Sequence, residues 1–322
     1  MYYYTDLHSD TITQLHYPME DLTNNKRMVS IPDMEKGHTL IQCFSAFIPT
    51  GMYPKICHNT ILWKRFQYIT YKKDRLMKKH KDYLSPICSY NDIAQCIFQN
   101  KIGVIYTIED SGIYGNDIAK VNKAYNNGVR IATLTWNHEN SLGYPNSTNP
   151  NIMKQGLKPF GFEVIEEMIR LGIIIDVSHL SDGGFYDVAK ICKGPFIATH
   201  SNCRYITNHP RNLTDDMIRI IANHSGIIGL NFYPHFLKND NSSNHSKIEY
   251  MIQHIKHIHK IGGLDVIAIG TDFDGIKGNL EIDTPAKMPL LFDALEKAGF
   301  SRSEIEKICL QNTLRVLKDC WK

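Results

Sequence analysis

Two residues apart in the run YTDLHSDT stand His8 and Asp10. In a strand, positions i and i+2 share a face, so an imidazole would sit beside a carboxylate. Such a pair is either a satisfied couple on a polar strand edge or half of a metal site. Further along, Glu109 closes the run IGVIYTIED, His179 closes GIIIDVSHL, His200 closes PFIATHSN and Asp272 lies at the end of DVIAIGTDFDG. Taken singly, each is an ordinary hydrogen-bonded residue at a strand end. Together they are imidazoles and carboxylates gathered at the same end of several strands, which is the chemistry of a shared metal centre. These donors suit zinc or a similar divalent ion and leave a position open for water. Two ions ~3.5–4 Å apart can share a carboxylate and a hydroxide. The run RIATLTWNH offers no lysine to bridge them, so Glu109 is the bridging candidate. His8 and Asp10 then complete one ion, and His179 and His200 the other.

The elements that must position these residues recur along the chain. Short apolar, β-branched runs (YTDLHSDT, QCFSAFIP, IGVIYTIED, RIATLTWNH, GIIIDVSHL, PFIATHSN, GIIGLNFY, DVIAIGTDFDG) alternate with amphipathic stretches. Helical patterns cover 116–128, 159–172, 181–194 and 213–226, the last with Thr214 as N-cap and Gly226 just past its end. Continuous apolar strands alternating with helices imply a parallel sheet buried on both faces. Eight such units over residues 1–322 predict a single α/β domain, a (β/α)8 TIM barrel with chemistry at the C-terminal ends of its strands. The rival is a doubly wound open sheet, but no G-x-G-x-x-G follows the first strand. Residues 286–322 read as helices closing the barrel.

Other features are discounted. HIKHIHK carries His254, His257 and His259 on one helix and reads as a solvated surface. DFDGIKGNLE places Ile276 where a calcium loop needs an oxygen ligand. The run YKKDRLMKKHKDY reads as the solvated face of a helix. A net charge of +3, with 43% hydrophobic and 21% charged residues, describes a globular chain with a sizeable core and does not imply nucleic acid. No apolar run reaches the ~18 residues that span a bilayer, and neither a signal peptide nor a lipid-anchor signal is read at the ends. The eight cysteines, Cys57 among them, are scattered without a C-x-x-C and read as reduced thiols. The expectation is a cytoplasmic protein with no membrane partner.

In order, DLHSDT, TIEDSG, LTWNHEN, IDVSHLS, ATHSN and GTDFDG resemble the membrane dipeptidase (renal dipeptidase) family of the metal-dependent amidohydrolase superfamily, over residues 5 to about 317. The resemblance implies a barrel with two zinc ions that cleaves dipeptides, with His8 and Asp10 on one ion, Glu109 bridging, and His179 and His200 on the other. It further implies that Arg211, in NHPRNL, holds the substrate's terminal carboxylate, to which a guanidinium fork is suited. Asp272 matches the acid that handles protons during hydrolysis. Where mammalian members have a histidine against the substrate or its tetrahedral intermediate, this chain has Trp136, and His138 two residues on is a second candidate for that space. The absence of secretion and anchor signals resembles soluble bacterial members, and the family resemblance also suggests a homodimer.

The implied reaction is hydrolysis of a dipeptide amide bond by a metal-bridging hydroxide, with Asp272 as base and then acid. Two alternatives stay open on the same residues. One is a different binuclear amidohydrolase, such as a lactonase, phosphoesterase or other amidase. The other is a catalytically silent metal- or ligand-binding protein.

Overall fold

The structure, a computed structural model, describes residues 1–53, 58–238 and 244–321. Cys57 lies outside the described residues; the other seven cysteines are free thiols. The strands are β1 (Tyr4–Asp6), β2 (Thr39–Phe47), β3 (Leu84–Pro86), β4 (Ile102–Glu109), β5 (Val129–Thr133), β6 (Ile174–Asp176), β7 (Ile228–Leu230), β8 (His245–Ser246), β9 (Ile267–Ile269) and β10 (Asn279–Leu280). The main sheet is parallel and runs β6-β5-β4-β2-β1-β9-β7. Between β6 and β7 the residues after Pro195 make only isolated bridges, Asp176 to Ile197 and Ala198 to Ile228. Backbone bonds from Val177 N to Ile197 O and from Ala198 N to Ile227 O close the ring there. The fold is the expected (β/α)8 barrel, with its sixth strand reduced to a short irregular segment.

Several strands are shorter than their apolar runs. The clearest case is β1, which stops at Asp6, so His8 and Asp10 do not share a strand face. The Asp6 carboxylate accepts from His8 N just past the strand, while Leu7 N and His8 O still bond to Ile269 O and Asp272 N beside them. Asp10 is instead the N-cap of the short helix Thr11–Gln14, its own N–H given to Phe273 O. The short β3, which the sequence did not suggest, adds to the first residues of β4, and β8 pairs with β10 apart from the barrel.

Leu7, Ile41, Cys43, Ile105, Ile131, Ile174, Ile197, Ile227 and Ala268 form one buried cluster with Val316, Leu317 and Trp321. Each barrel strand thus gives its apolar residues to a packed floor beneath the polar strand ends, and the C-terminal helix Asn312–Cys320 packs onto it. A larger cluster lies between sheet and helices. The helix Pro159–Leu171 ends on left-handed Gly172, and Thr214 caps Asp215–Asn223 by accepting from Met217 N. A Cβ on Gly229 or Gly270 would stand 1.9 or 1.8 Å from Thr199 O, so only glycine lets the sixth segment pass so close to β7 and β9.

The histidine-rich helix departs from expectation. His254 is fully buried, accepting from Cys203 N and facing Leu237 O at 2.9 Å through Nε2. The helix Ile248–Gly262 turns this face inward, making His254 a structural residue. The basic run is likewise only partly solvated, since Lys72 is buried and donates to Thr13 O and Leu15 O. Among the described residues no helix is long and apolar enough to cross a membrane.

Candidate metal centre

The barrel brings His8, Asp10, Glu109, His179, His200 and Asp272 to one end. Three overlapping groups have ligand atoms within 4.8 Å of one another: His8, Asp10 and Glu109; Glu109, His179 and His200; His8, His200 and Asp272. Glu109, the last residue of β4, divides its two oxygens. Oε2 lies 3.5 Å from His8 Nε2, while Oε1 lies 3.0 Å from His179 Nε2 and 3.6 Å from His200 Nε2. His8 Nε2 is also 3.7 Å from Asp10 Oδ1 and 4.0 Å from Asp272 Oδ1.

Backbone geometry aims these groups inward. His179 and Asp272 adopt left-handed φ values of 68° and 64°, as does Asp110 (72°) directly after Glu109. Each costs of order 1–3 kcal/mol in a non-glycine residue, and such strain gathers where side chains must be held. Asp110 is locked in turn, accepting from Thr50 N, Thr50 Oγ1, Asn140 Nδ2 and Gly112 N.

The electrostatics call for added positive charge. Burial alone would lower the His8 imidazole, but Glu109, then Asp10 and Asp272, outweigh it and push the pKa up to about 10. Burial and the Glu109 charge push Asp10 well above the carboxylate range. Burial opposes ionisation of Glu109 too, yet His8, His179 and His200 hold it well below its usual value. Burial takes Asp272 up to about 6 against the pull of His8, and takes His179 down to about 4 with help from Arg211.

The donor atoms fit a divalent cation. His8 Nε2 and Asp10 Oδ1 are buried with no hydrogen-bond partner among the described residues. His179 Nδ1 faces the acceptor Asn137 Oδ1 at 3.0 Å, so its proton sits on Nδ1 and its Nε2 is bare. That bare nitrogen points at Glu109 Oε1 and, at 3.0 Å, at His200 Nε2. Buried imidazole nitrogens and carboxylate oxygens that converge with so few hydrogen bonds among them are a donor set that a divalent cation would take up. Nitrogen and carboxylate donors of this kind suit zinc or its neighbours.

Arg211 is buried behind the cluster. Its Nη1 donates to Ser201 Oγ at 2.8 Å and its Nη2 to His200 O at 2.9 Å, while Nε has no partner among the described residues. Arg204 fixes the loop that carries it, gripping Asp182 with two 2.8 Å bonds and also donating to Asn212 O and Pro210 O. Trp136 is half-buried between Phe47 and the ligands, 4.9 Å from the Phe47 ring and 6.5 Å from that of His179. His138 is exposed, 5.8 Å from the indole, and lines a cavity of about 790 Å³ with Tyr53, Lys158 and Phe160. The structure therefore gathers the predicted ligands, Asp272 and Arg211, sets Trp136 at their edge, and leaves His138 outside it. Sequence reasoning missed Asn231, which donates to Asp272 Oδ2 at 2.9 Å, and Asn137 behind His179. Both are polar residues at the ends of apolar runs, the same signal that marked the ligands.

The family model of the membrane dipeptidases, peptidase family M19, matches residues 2–321. An uncharacterized dipeptidase of Schizosaccharomyces pombe is 30% identical over 293 residues, 88% of this chain and 70% of that protein. Two solved structures share the fold. The dipeptidase AC, a metallopeptidase of family M19, superposes with a TM-score of 0.93 at 24% identity, covering 99% of both chains. A metallopeptidase from Rhodobacter sphaeroides, liganded with a phosphinate mimic of the dipeptide L-Ala-D-Ala, gives 0.90 at 22% identity, also over 99% of both.

Proposed function

The chain belongs to the membrane dipeptidase family of metal-dependent hydrolases, and from that premise we propose that it hydrolyses the amide bond of dipeptides with two divalent ions, zinc in the first instance. The observation that carries this reading is the division of Glu109, one oxygen toward His8 and the other toward His179 and His200. A carboxylate so placed is suited to two ions at once. The mimic bound by the Rhodobacter sphaeroides protein supports a dipeptide as the substrate class.

His8 and Asp10 would hold one ion, His179 and His200 the other, and Glu109 both. Ions bound there supply an acidified water and polarise the scissile carbonyl. Asp272 Oδ1 faces the cluster, 4.0 Å from His8 Nε2, where a carboxylate could serve as a general base and then acid. It would accept the proton of the attacking water and return it to the departing amine. Arg211 would hold the substrate's free carboxylate, and its bonds to Ser201 Oγ and His200 O fix the guanidinium relative to the ligands. Trp136 walls the cluster on the β5 side, where its indole N–H is the single donor it can offer.

The test is a dipeptide hydrolysis screen on protein loaded with zinc and on chelated protein. Turnover confined to the loaded protein and to free dipeptides is expected. Equal turnover after chelation, or preference for lactones or phosphoesters, overturns the reading.

A further inference from the structure

Behind the ligands lie two buried carboxylates that sequence motifs left aside. Asp176 ends β6 and accepts four hydrogen bonds. Its Oδ1 takes Ser178 N and Thr199 N, each at 2.9 Å, and its Oδ2 takes the hydroxyls of Thr133 at 2.5 Å and Thr199 at 2.6 Å. Asp6 ends β1 and is held the same way. Its Oδ1 takes His8 N and Thr271 N, and its Oδ2 takes Gln42 Nε2 and Thr271 Oγ1. Both carboxylates are fully buried, and β1 and β6 stand on opposite sides of the ring. Each clamp joins the strand end before one candidate ligand to a threonine directly before another: Asp6 and Thr271 flank His8 and Asp272, while Asp176 and Thr199 flank His179 and His200.

One contact of the Asp176 clamp has no counterpart in the Asp6 clamp. Thr199 Oγ1 lies 2.7 Å from His200 Nδ1, whereas Thr271 precedes an aspartate and meets no ring nitrogen. Proton accounting fixes the direction. An ionised carboxylate only accepts, so the Thr199 hydroxyl proton goes to Asp176 Oδ2, and the oxygen is left to accept from His200. His200 must then carry its proton on Nδ1 and present Nε2 bare.

We propose that Asp176, acting through Thr199, is a positioning residue that sets the tautomer and ring orientation of His200, and so the affinity of one ion of the pair. The inference rests on the metal reading above. Outer partners of ligating histidines commonly contribute 10–100-fold in metal affinity. Here the partner is a hydroxyl that relays a carboxylate rather than the carboxylate itself. Ser178 Oγ, which accepts from His200 N at 3.2 Å, holds the backbone of the same residue.

Zinc is titrated into metal-free protein against a chromophoric chelator, resolving the two affinities. Thr199→Val, nearly the same size, is expected to weaken one ion 10–100-fold and leave the other at its wild-type affinity. Thr199→Ser restores the hydroxyl and should recover most of the loss. Asp176→Asn, added to Thr199→Val, should add little, since both changes act on one chain of bonds. Thr271→Val should leave the His179–His200 ion as tight as in wild type. Two ions held with unchanged affinity by Thr199→Val overturn the inference, as does equal weakening of both ions in that variant. Should Thr199→Val fail to fold, Thr199→Ser and Thr199→Cys are compared: a hydroxyl-dependent difference confined to one ion sustains the inference, and no difference overturns it. A wild type that holds fewer than two ions overturns the metal reading itself, and the inference with it.

Discussion

Asn231 donates its amide to Asp272 Oδ2 at 2.9 Å and leaves Oδ1 turned toward His8, 4.0 Å from its Nε2. The same amide reaches His200 O at 3.3 Å, an oxygen that also accepts from Arg211. One carboxylate oxygen is therefore anchored and the other faces the cluster. That division suits a group that carries protons better than one that must grip a metal with both oxygens.

Asp272→Asn keeps size and position but cannot accept a proton near neutral pH. General acid–base catalysis contributes about 10²–10⁴-fold, and kcat is expected to fall by that amount. KM and metal content should stay near wild type. Elemental analysis showing lost metal would make Asp272 primarily a ligand, and an unchanged kcat would move the proton transfer elsewhere.

Glu109→Gln removes the charge that faces both halves of the centre. The expected result is loss of more than one equivalent of metal per chain, because the carboxylate is shared, and a smaller rise in melting temperature on adding zinc than wild type shows. Mass-spectrometric metal analysis of dialysed protein checks it. Loss of one equivalent alone, with the other tightly retained, would remove the shared role.

The barrel was legible in eight apolar runs alternating with helices, and its ligands because five of those runs carried polar residues at the same end, as for Glu109, His179 and His200. Two kinds of feature were not. His8 and Asp10 lie beyond the end of β1, with Asp10 already at a helix start, which a period-two strand pattern does not foresee. Asp6 and Asp176 act through partners far along the chain, such as the Asp6–Thr271 bonds, so no local pattern points to their role. His254 misled for the same reason, since its burial depends on Cys203 and Leu237.

Acid sensitivity of the fold is expected to trace in part to Asp21. Burial would raise its pKa, but Lys79, with Thr23 and Asn24 N–H donors, holds it well below the usual carboxylate range. A depressed pKa stabilises the fold above the unfolded value of about 3.9 and ceases to do so as pH falls through the folded value. Asp21→Asn should therefore cost stability at pH 7 and cost less at pH 3. Urea midpoints at the two pH values measure this, and an equal cost at both would refute it.

Arg211 offers the clearest separation of binding from chemistry. Its guanidinium is buried, tied to Ser201 Oγ and His200 O, and left with an unpartnered Nε beside the ligands. A substrate carboxylate there would complete a desolvated charge pair, and truncating one partner of such a pair costs ~2–5 kcal/mol. Arg211→Met should raise KM for free dipeptides roughly 30-fold or more, up to several thousand-fold. Arg211→Lys should recover only part of this, because an ammonium lacks the fork that matches a carboxylate. A dipeptide amide supplies the control: without the carboxylate it should be a poor substrate for wild type and variant alike. Wild-type turnover of acid and amide at equal kcat/KM would exclude Arg211 from substrate recognition and leave its bonds to Ser201 and His200 as its whole role.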